Sequence, residues 1–230
     1  MKICGFQKTT LLDYPGHLAA SIFTGGCNFR CPFCHNSELL PGDVPAAFPE
    51  EEVLAYLQKR RHILEGVCIT GGEPTLQPDL ETFLRKIRAL GYRIKLDTNG
   101  YQPRVLETLL AEKLVDYAAM DIKNSPGRYG ETVGIKNLSL RPIEESIALL
   151  KQSEIPWEFR TTVVRELHRA EDFKEIGPWI SGAPAYFLQN YVDSRQVLCP
   201  GFTSYSKSEL LTFLELVRPF VKTAALRGID

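Results

Sequence analysis

Along this chain, short runs of apolar and β-branched residues alternate with longer segments whose apolar residues recur at helical spacing. The strand-like runs are 17–24, 67–70, 92–96, 115–122, 157–164 and 185–192. The helix-like segments are 49–64, 78–90, 103–113, 142–152, 172–180 and a last one from about 206 to 226. Strands that alternate with helices in this way predict an α/β protein with a mostly parallel sheet.

Six such units can close partly into a barrel or remain an open doubly wound sheet, and periodicity does not distinguish the two. We take a partial (β/α)6 barrel of mostly parallel strands with outer helices as the expected fold class. We expect one domain over residues 1–230, with its core at about 17–192. Ser206 and Glu209 form a capping-box pattern that predicts the start of the C-terminal helix, at about 206–226.

Polar and glycine-rich segments follow the first four predicted strands directly. They are Gly25 to Cys27, Gly71 to Pro74, Asp97 to Gly100, and Asp121 to Lys123. In both candidate architectures, ligands bind at the carboxyl ends of the strands, so these segments are expected to meet at one rim. Taken singly, the second and third segments could be tight turns, and the fourth could be a structural ion pair.

Three of the six cysteines lie within eight residues, as Cys27, Cys31 and Cys34. A cubane iron–sulfur cluster normally takes four cysteines, so three leave one iron open to a substrate or cofactor. The alternative is a zinc loop, with His35 or Cys199 as a further ligand. Zinc sites usually pair one Cys-x2-Cys knuckle with a second one, which this sequence lacks.

Composition narrows the partners less than the motifs do. Apolar residues make up 44% of the 230 and charged residues 24%, with a formal net charge of -1, so neither nucleic acid nor a membrane surface is favoured. No stretch reaches the roughly 18 uninterrupted apolar residues of a membrane span, and the first residues lack the apolar core of a secretory signal. The expected location is the cytoplasm, where thiols stay reduced.

The cysteine spacing, with aromatic Phe33 just before the last cysteine, resembles the signature of the radical S-adenosylmethionine superfamily. The segments 12–16, 27–36 and 187–190 resemble activating proteins of anaerobic ribonucleoside-triphosphate reductase. Pyruvate formate-lyase activases share the Cys-His-Asn, Asp-Thr-Asn-Gly and Asp-x-Lys elements. The resemblance spans roughly residues 1–190.

This resemblance implies specific roles. Cys27, Cys31 and Cys34 would hold a 4Fe–4S cluster, and Phe33, Gly71, Gly72 and Glu73 would bind S-adenosylmethionine, with Glu73 on its amino group. Asp97, Thr98 and Asp121 would hold a monovalent cation beside the methionyl carboxylate, which Lys123 would contact. Arg160, Gln189 and Asn190 are further candidates for contacts with the ribose or carboxylate. His35 and Asn36 are candidates for hydrogen bonds to the cluster or adenine.

The implied reaction is reductive cleavage of S-adenosylmethionine to a 5′-deoxyadenosyl radical, which takes hydrogen from a glycine of a partner glycyl-radical enzyme. Anaerobic ribonucleotide reductase is the expected partner. An external flavodoxin or ferredoxin would supply the electron, because the chain has no second cysteine cluster. Two alternatives stay open: a radical enzyme acting on a free metabolite, like the deazaguanine-forming synthases, and a non-enzymatic metal-binding module.

The remaining cysteines and histidines have bland interpretations. Cys4, Cys68 and Cys199 are expected to be inert, although Cys199 precedes a predicted turn at Pro200 and Gly201 and is a candidate exposed thiol. His17, His62 and His168 are expected to be structural or exposed.

Overall fold

The structure is a computed structural model that describes residues 1–193 and 197–229. Within these ranges one sheet of eight strands runs in chain order from β1 to β8. The strands are β1 (Ile3–Thr10), β2 (Ala19–Thr24), β3 (Gly66–Gly71), β4 (Arg93–Thr98), β5 (Tyr117–Asp121), β6 (Trp157–Val163), β7 (Tyr186–Asn190) and β8 (Ala224–Arg227). β1 pairs with β2 antiparallel, and every later pair is parallel.

The helices connect successive parallel strands, as the alternating pattern predicts. They are α1 (Glu50–Arg60), α2 (Leu80–Ala89), α3 (Pro103–Ala111), α4 (Tyr129–Thr132), α5 (Arg141–Gln152), α6 (Ala170–Trp179) and α7 (Lys207–Val217). Short 3-10 turns lie at Ser37–Leu39, Pro74–Leu76, Pro126–Arg128 and Arg218–Phe220. No helix among these described segments is long and apolar enough to span a bilayer.

The six predicted strands correspond to β2 through β7, so the α/β fold class of mostly parallel strands with outer helices is confirmed. β1 and β8 lie at the two edges of the sheet, which is therefore open, as in a partial barrel. The two edge strands, β1 and β8, were not predicted. β1 is half exposed and its burial does not alternate cleanly, which hides the strand signal. β8 has only four residues and falls inside the segment predicted as helix.

The C-terminal helix is shorter than predicted. It begins after Ser206 with both capping-box hydrogen bonds present, but it ends at Val217 rather than near residue 226. Pro219 lies in the 3-10 turn that follows. Proline lacks a backbone N–H and its ring clashes with the preceding turn, so it does not fit in the interior of an α-helix. The chain then enters β8, which pairs with β7.

The apolar core lies between the sheet and the outer helices. Leu80, Phe83, Leu84 and Ile87 of α2 are each at most 1% exposed, as their spacing predicts. Burying a side chain of this size stabilises the fold by about 2 kcal/mol. Buried polar side chains such as Ser21, Lys95 and Glu158 come from alternate strand positions and face the other side of the sheet, where the strand-end segments gather.

Candidate functional site

The loop that carries Cys27, Cys31 and Cys34 follows β2 and is tied down by backbone hydrogen bonds at several points. Gly26 N–H donates to Leu39 O at 2.7 Å, and Arg30 N–H donates to Val133 O at 2.8 Å. Cys34 N–H donates to Cys31 O at 3.1 Å, so the last two cysteines lie on one tight turn. The three thiols are therefore positioned by the protein before any metal binds.

The three thiols line one cavity of about 210 Å³ at the carboxyl ends of the strands. Every predicted site residue lines this cavity except Gln189 and Asn190. The shared set comprises Cys27, Cys31, Phe33, Cys34, Gly71, Gly72, Glu73, Asp97, Thr98, Asp121, Lys123 and Arg160. The strand-end rule thus brings these residues to one cavity, and their contacts with a cofactor stay predictions.

Burial controls the protonation of the cysteines. Desolvation raises the pKa of Cys27 to about 11 and that of Cys31 to about 12, and it also raises the pKa of Cys34. The nearby ammonium of Lys123 acts in the opposite direction on all three thiols but does not outweigh burial. Without metal the thiols are protonated at neutral pH, so metal binding must release protons.

The donor set fits an iron–sulfur cluster. Three thiolates are soft ligands of the kind that hold such clusters. Asn28, next to Cys27, has a buried Nδ2 that finds no hydrogen-bond acceptor among the residues described. An unused N–H donor beside three thiols suits a group with acceptor sulfur atoms. Among the residues that the structure describes, no set of three His, Cys, Asp or Glu side chains converges on a position for a single metal ion.

Gly71 and Gly72 line the cavity and also allow a close contact between backbones, while the predicted approach of a ligand to them stays a prediction. Gly71 has φ +113°, and a Cβ at this residue would lie 2.3 Å from Thr24 N. A Cβ on Gly72 would lie 2.2 Å from Gly26 O. Both glycines therefore allow the end of β3 to pack against the backbone that leads into the cysteine loop, and Gly72 N–H and Glu73 N–H donate hydrogen bonds across this contact.

Glu73 is 1% exposed and its carboxylate is fixed by its neighbours. It accepts hydrogen bonds from Thr75 N and Thr98 Oγ1 at Oε1, at 3.1 and 2.8 Å, and from Asn99 N at Oε2, at 2.7 Å. Burial raises the pKa of Glu73, and these hydrogen bonds act in the opposite direction. Its predicted contact with the amino group of S-adenosylmethionine stays a prediction.

A network of largely buried charges on β4, β5 and β6, and on the residues that follow β5, lines the cavity. The Arg160 guanidinium contacts both Asp121 Oδ1, at 3.0 Å, and Asp97 Oδ2, at 3.4 Å. Lys123 Nζ lies 2.9 Å from Asp121 Oδ2, and Lys95 Nζ pairs with Asp97 Oδ1. Burial would raise the pKa of Asp121, but the Arg160 and Lys123 charges outweigh it and lower this pKa to about 2.

Lys95 is a member of this network that the sequence interpretation missed. It is 1% exposed, and its ammonium also lies 3.8 Å from the Cys68 thiol. The signal was available, because Lys95 and Asp97 stand two residues apart on one strand and so face the same side of the sheet. Asn99 was also missed as a side chain; its Nδ2 donates to Asn28 Oδ1 at 2.8 Å beside the cysteine loop.

Gln189 and Asn190 lie on β7 and do not line the cavity, although Gln189 stands opposite Thr162, which does. The Asn190 side chain donates to Tyr205 O at 2.7 Å and accepts from Tyr205 N at 3.2 Å. Both of its polar atoms thus hold the segment before α7. The predicted contacts of these two residues with the cofactor stay predictions.

The histidines and remaining cysteines mostly have structural surroundings. His168 is buried; its Nδ1 accepts from Val164 N at 3.1 Å, so Nε2 carries the proton and donates to Lys123 O at 2.8 Å. His35 lines the cavity and stacks on Tyr191, with ring centroids 5.5 Å apart. Cys199 is exposed, as expected, and its N–H donates to Pro32 O within the cysteine loop.

Comparison with known proteins agrees with this site. The model of the Radical SAM superfamily matches residues 21–176, which is more than half of the chain. This chain therefore belongs to the radical S-adenosylmethionine superfamily, whose cofactors are a 4Fe–4S cluster and S-adenosylmethionine. The family assignment confirms the interpretation of the cysteine spacing and disfavours the zinc loop.

Two relatives and one solved structure illustrate the range of the similarity. A Methanocaldococcus jannaschii protein named "Putative glycyl-radical enzyme activating enzyme" is 32% identical over 82% of this chain and 79% of its own length. The 7-carboxy-7-deazaguanine synthase of Halobacterium salinarum is 37% identical over 39% of this chain and 36% of its own. Streptococcus suis SuiB, in its structure bound to S-adenosylmethionine, has a TM-score of 0.69 and 16% identity. That match covers 89% of this chain and 49% of SuiB, so the chain spans about half of that protein and shares its fold.

Proposed function

We propose that this chain is a glycyl-radical-enzyme activase. It holds the 4Fe–4S cluster on Cys27, Cys31 and Cys34, and it acts on a glycine of a partner enzyme, for which anaerobic ribonucleotide reductase is our candidate. The observation that carries the proposal is the single cavity in which the three thiols, Glu73 and Lys123 meet. The similarity to the M. jannaschii relative, which extends over most of both chains, supports the activase branch.

A 4Fe–4S cluster held by Cys27, Cys31 and Cys34 would supply one electron, received from an external flavodoxin or ferredoxin, for cleavage of S-adenosylmethionine to methionine and a 5′-deoxyadenosyl radical. That radical would take a hydrogen atom from the glycine of the partner. The chain's own residues orient the cofactor. In this proposal the Glu73 carboxylate accepts from the amino group of the cofactor, and the Lys123 ammonium pairs with its carboxylate.

The test is anaerobic. The iron-reconstituted chain is reduced with S-adenosylmethionine present and mixed with an anaerobic ribonucleotide reductase, and electron paramagnetic resonance is recorded. We expect a glycyl radical signal on the reductase. The Cys31→Ala chain should give neither 5′-deoxyadenosine nor the signal. Cleavage of S-adenosylmethionine by the unaltered chain, without a radical on any glycyl-radical enzyme, would contradict the activase proposal.

A second candidate is a radical enzyme that acts on a free metabolite. The 37% identity to a 7-carboxy-7-deazaguanine synthase favours it, but that similarity extends over only 39% of this chain. The two candidate functions differ in whether the reaction requires a partner protein. Consumption of a small molecule in the absence of any partner protein would support this second function.

A further inference from the structure

The carboxylates predicted to hold a monovalent cation are already paired with cations of the protein. Asp97 faces the Lys95 ammonium with one oxygen and the Arg160 guanidinium with the other, at 3.4 Å. Asp121 faces Arg160 Nε at 3.0 Å and Lys123 Nζ at 2.9 Å. Each of the four carboxylate oxygens therefore has a positively charged partner within the chain.

The third predicted ligand, Thr98, is also engaged. Its hydroxyl donates to Glu73 Oε1 at 2.8 Å and accepts from Gly100 N at 3.0 Å. A metal ion that displaced the Thr98 hydroxyl from Glu73 would remove one of several hydrogen bonds to this buried carboxylate, since Thr75 N and Asn99 N also donate to it. The loss of one such bond costs about 1 kcal/mol.

The charge balance points the same way. Lys95, Arg160 and Lys123 contribute three positive charges, and Asp97 and Asp121 contribute two negative ones, so this group carries one net positive charge. One carboxylate of a bound ligand balances these five groups, so their pairing requires no further cation. Glu73 in the same cavity and Glu158 near Arg160 lie outside this count.

We propose that the Arg160 guanidinium takes the place of the monovalent cation, so that this chain binds S-adenosylmethionine without potassium or sodium. The inference builds on the proposed position of the methionyl carboxylate beside Lys123. It does not depend on whether the partner is a glycyl-radical enzyme, because its test measures cofactor binding alone.

The fold makes Arg160 suited to this position. The register of β5 and β6 sets Arg160 directly opposite Asp121. Asp97 lies on β4, the strand on the other side of β5 from Arg160. A planar guanidinium can contact two carboxylates at once, which a single ammonium at the same site does less well. The contact is thus a fixed property of the sheet rather than of a mobile loop.

The experiment compares cofactor affinity in different salts at constant ionic strength. The iron-reconstituted chain is titrated anaerobically with S-adenosylmethionine in potassium, sodium or choline chloride. We expect the three dissociation constants to agree within about twofold. A loss of tenfold or more in choline chloride would overturn the proposal.

The Arg160→Ala variant provides a second arm. Removing the guanidinium leaves two carboxylates facing an open space, so we expect binding in choline chloride to weaken at least tenfold and to recover in potassium or sodium chloride. Weakening that no monovalent cation reverses would overturn the assignment of Arg160 to the cation position. Arg165→Ala, which removes an exposed arginine paired with Glu209 at 2.7 Å, is the control and should bind as the unaltered chain does in every salt.

Folding is checked by near-ultraviolet circular dichroism in each salt. If Arg160→Ala does not fold, the Arg160→Lys variant replaces it. That variant keeps the positive charge, and we expect its cofactor affinity to stay independent of potassium. Potassium-dependent affinity in Arg160→Lys would count against the proposal.

Discussion

Lys123 has surroundings unlike those of an ordinary surface lysine. Its ammonium pairs with the Asp121 carboxylate near the cysteine loop, and the backbone carbonyl of Lys123 accepts from His168. Burial would lower the pKa of Lys123, but the Asp121 carboxylate outweighs this and raises it, so Lys123 stays charged at neutral pH. It is therefore a permanent positive charge at the cavity wall.

We expect Lys123→Met to weaken S-adenosylmethionine binding at least tenfold, because the charged group that pairs with the methionyl carboxylate is lost. Iron and sulfide content should not change, since the three cysteines remain. Isothermal titration of the reconstituted protein and iron analysis measure the two properties. Lys174→Met, at an exposed position of α6, is the control. An unchanged affinity in Lys123→Met would show that Lys123 does not contact the cofactor.

Asp121 should make stability depend on pH in the acid range. Its pKa is lowered from 3.8 to about 2, so its stabilising contribution is complete above pH 3.8 and is lost as the pH falls through about 2. A shift of this size corresponds to about 2 kcal/mol. Denaturant unfolding of the metal-free protein between about pH 5 and pH 2 should therefore show a smaller loss of stability in Asp121→Asn than in the unaltered chain. Parallel curves for the two proteins would contradict this.

At the scale of elements, the contact between the end of β3 and the cysteine loop determines the geometry of the site. We expect Gly72→Ala to destabilise the protein by about 1–3 kcal/mol, because the new methyl group would press against Gly26 O. The separated backbones should also lower the iron bound after reconstitution. Chemical unfolding and iron analysis test this.

Gly42→Ala is the matched control for that substitution. A Cβ at Gly42 meets no atom within 4 Å, and its φ lies outside the left-handed region, so stability and iron content should stay unchanged. Equal effects of the two substitutions would show that the packing of Gly72 against Gly26 is not what matters.

The elements that the sequence predicted well are those with a buried face. β2 to β7 and α2 carry apolar residues at regular spacing, because the core requires them there. β1 and β8 lie at the two edges of the sheet. An edge strand has a neighbouring strand on one side only, so its residues need not follow a regular apolar spacing. The four-residue α4 is too short for any periodicity to show.

For the site, residue type and strand-end position were enough to find the thiols, Glu73, Asp121 and Lys123. What could not be predicted is the pairing: that Arg160 reaches across to two carboxylates depends on strand register, which a single sequence does not encode in any local motif. The hydrogen bonds between Asn190 and Tyr205 likewise depend on where the segment before α7 folds back.

At the scale of the whole molecule, β8 is joined to the sheet by a buried ion pair. Arg227 contacts Glu158 on β6 through both of its terminal nitrogens, and Tyr117 on β5 donates to the same carboxylate at 2.5 Å. Glu158 is fully buried, so its carboxylate receives its hydrogen bonds from these partners and not from water. The pair connects the last strand to the middle of the sheet.

We expect Arg227→Met to destabilise the protein by about 3–5 kcal/mol, since it leaves a buried carboxylate with only the Tyr117 hydroxyl as partner. The Arg227→Met/Glu158→Gln double variant should be more stable than Arg227→Met alone. Thermal or denaturant unfolding measures both. The control is Arg218→Met, which removes an exposed pair with Glu215. A double variant less stable than Arg227→Met would argue against the pair as the origin of the effect.

The hydrogen bond from Arg30 N–H to Val133 O has a consequence for biosynthesis. Each strand of the sheet adds beside the one before it, so the sheet can grow in step with translation. The cysteine loop, however, is encoded in the first 34 residues and takes a backbone partner about a hundred residues later. On the ribosome the cysteine loop therefore lacks this hydrogen bond until β5 and the segment after it have emerged. Delivery of iron and sulfide to a correctly shaped loop thus belongs to a late stage of synthesis.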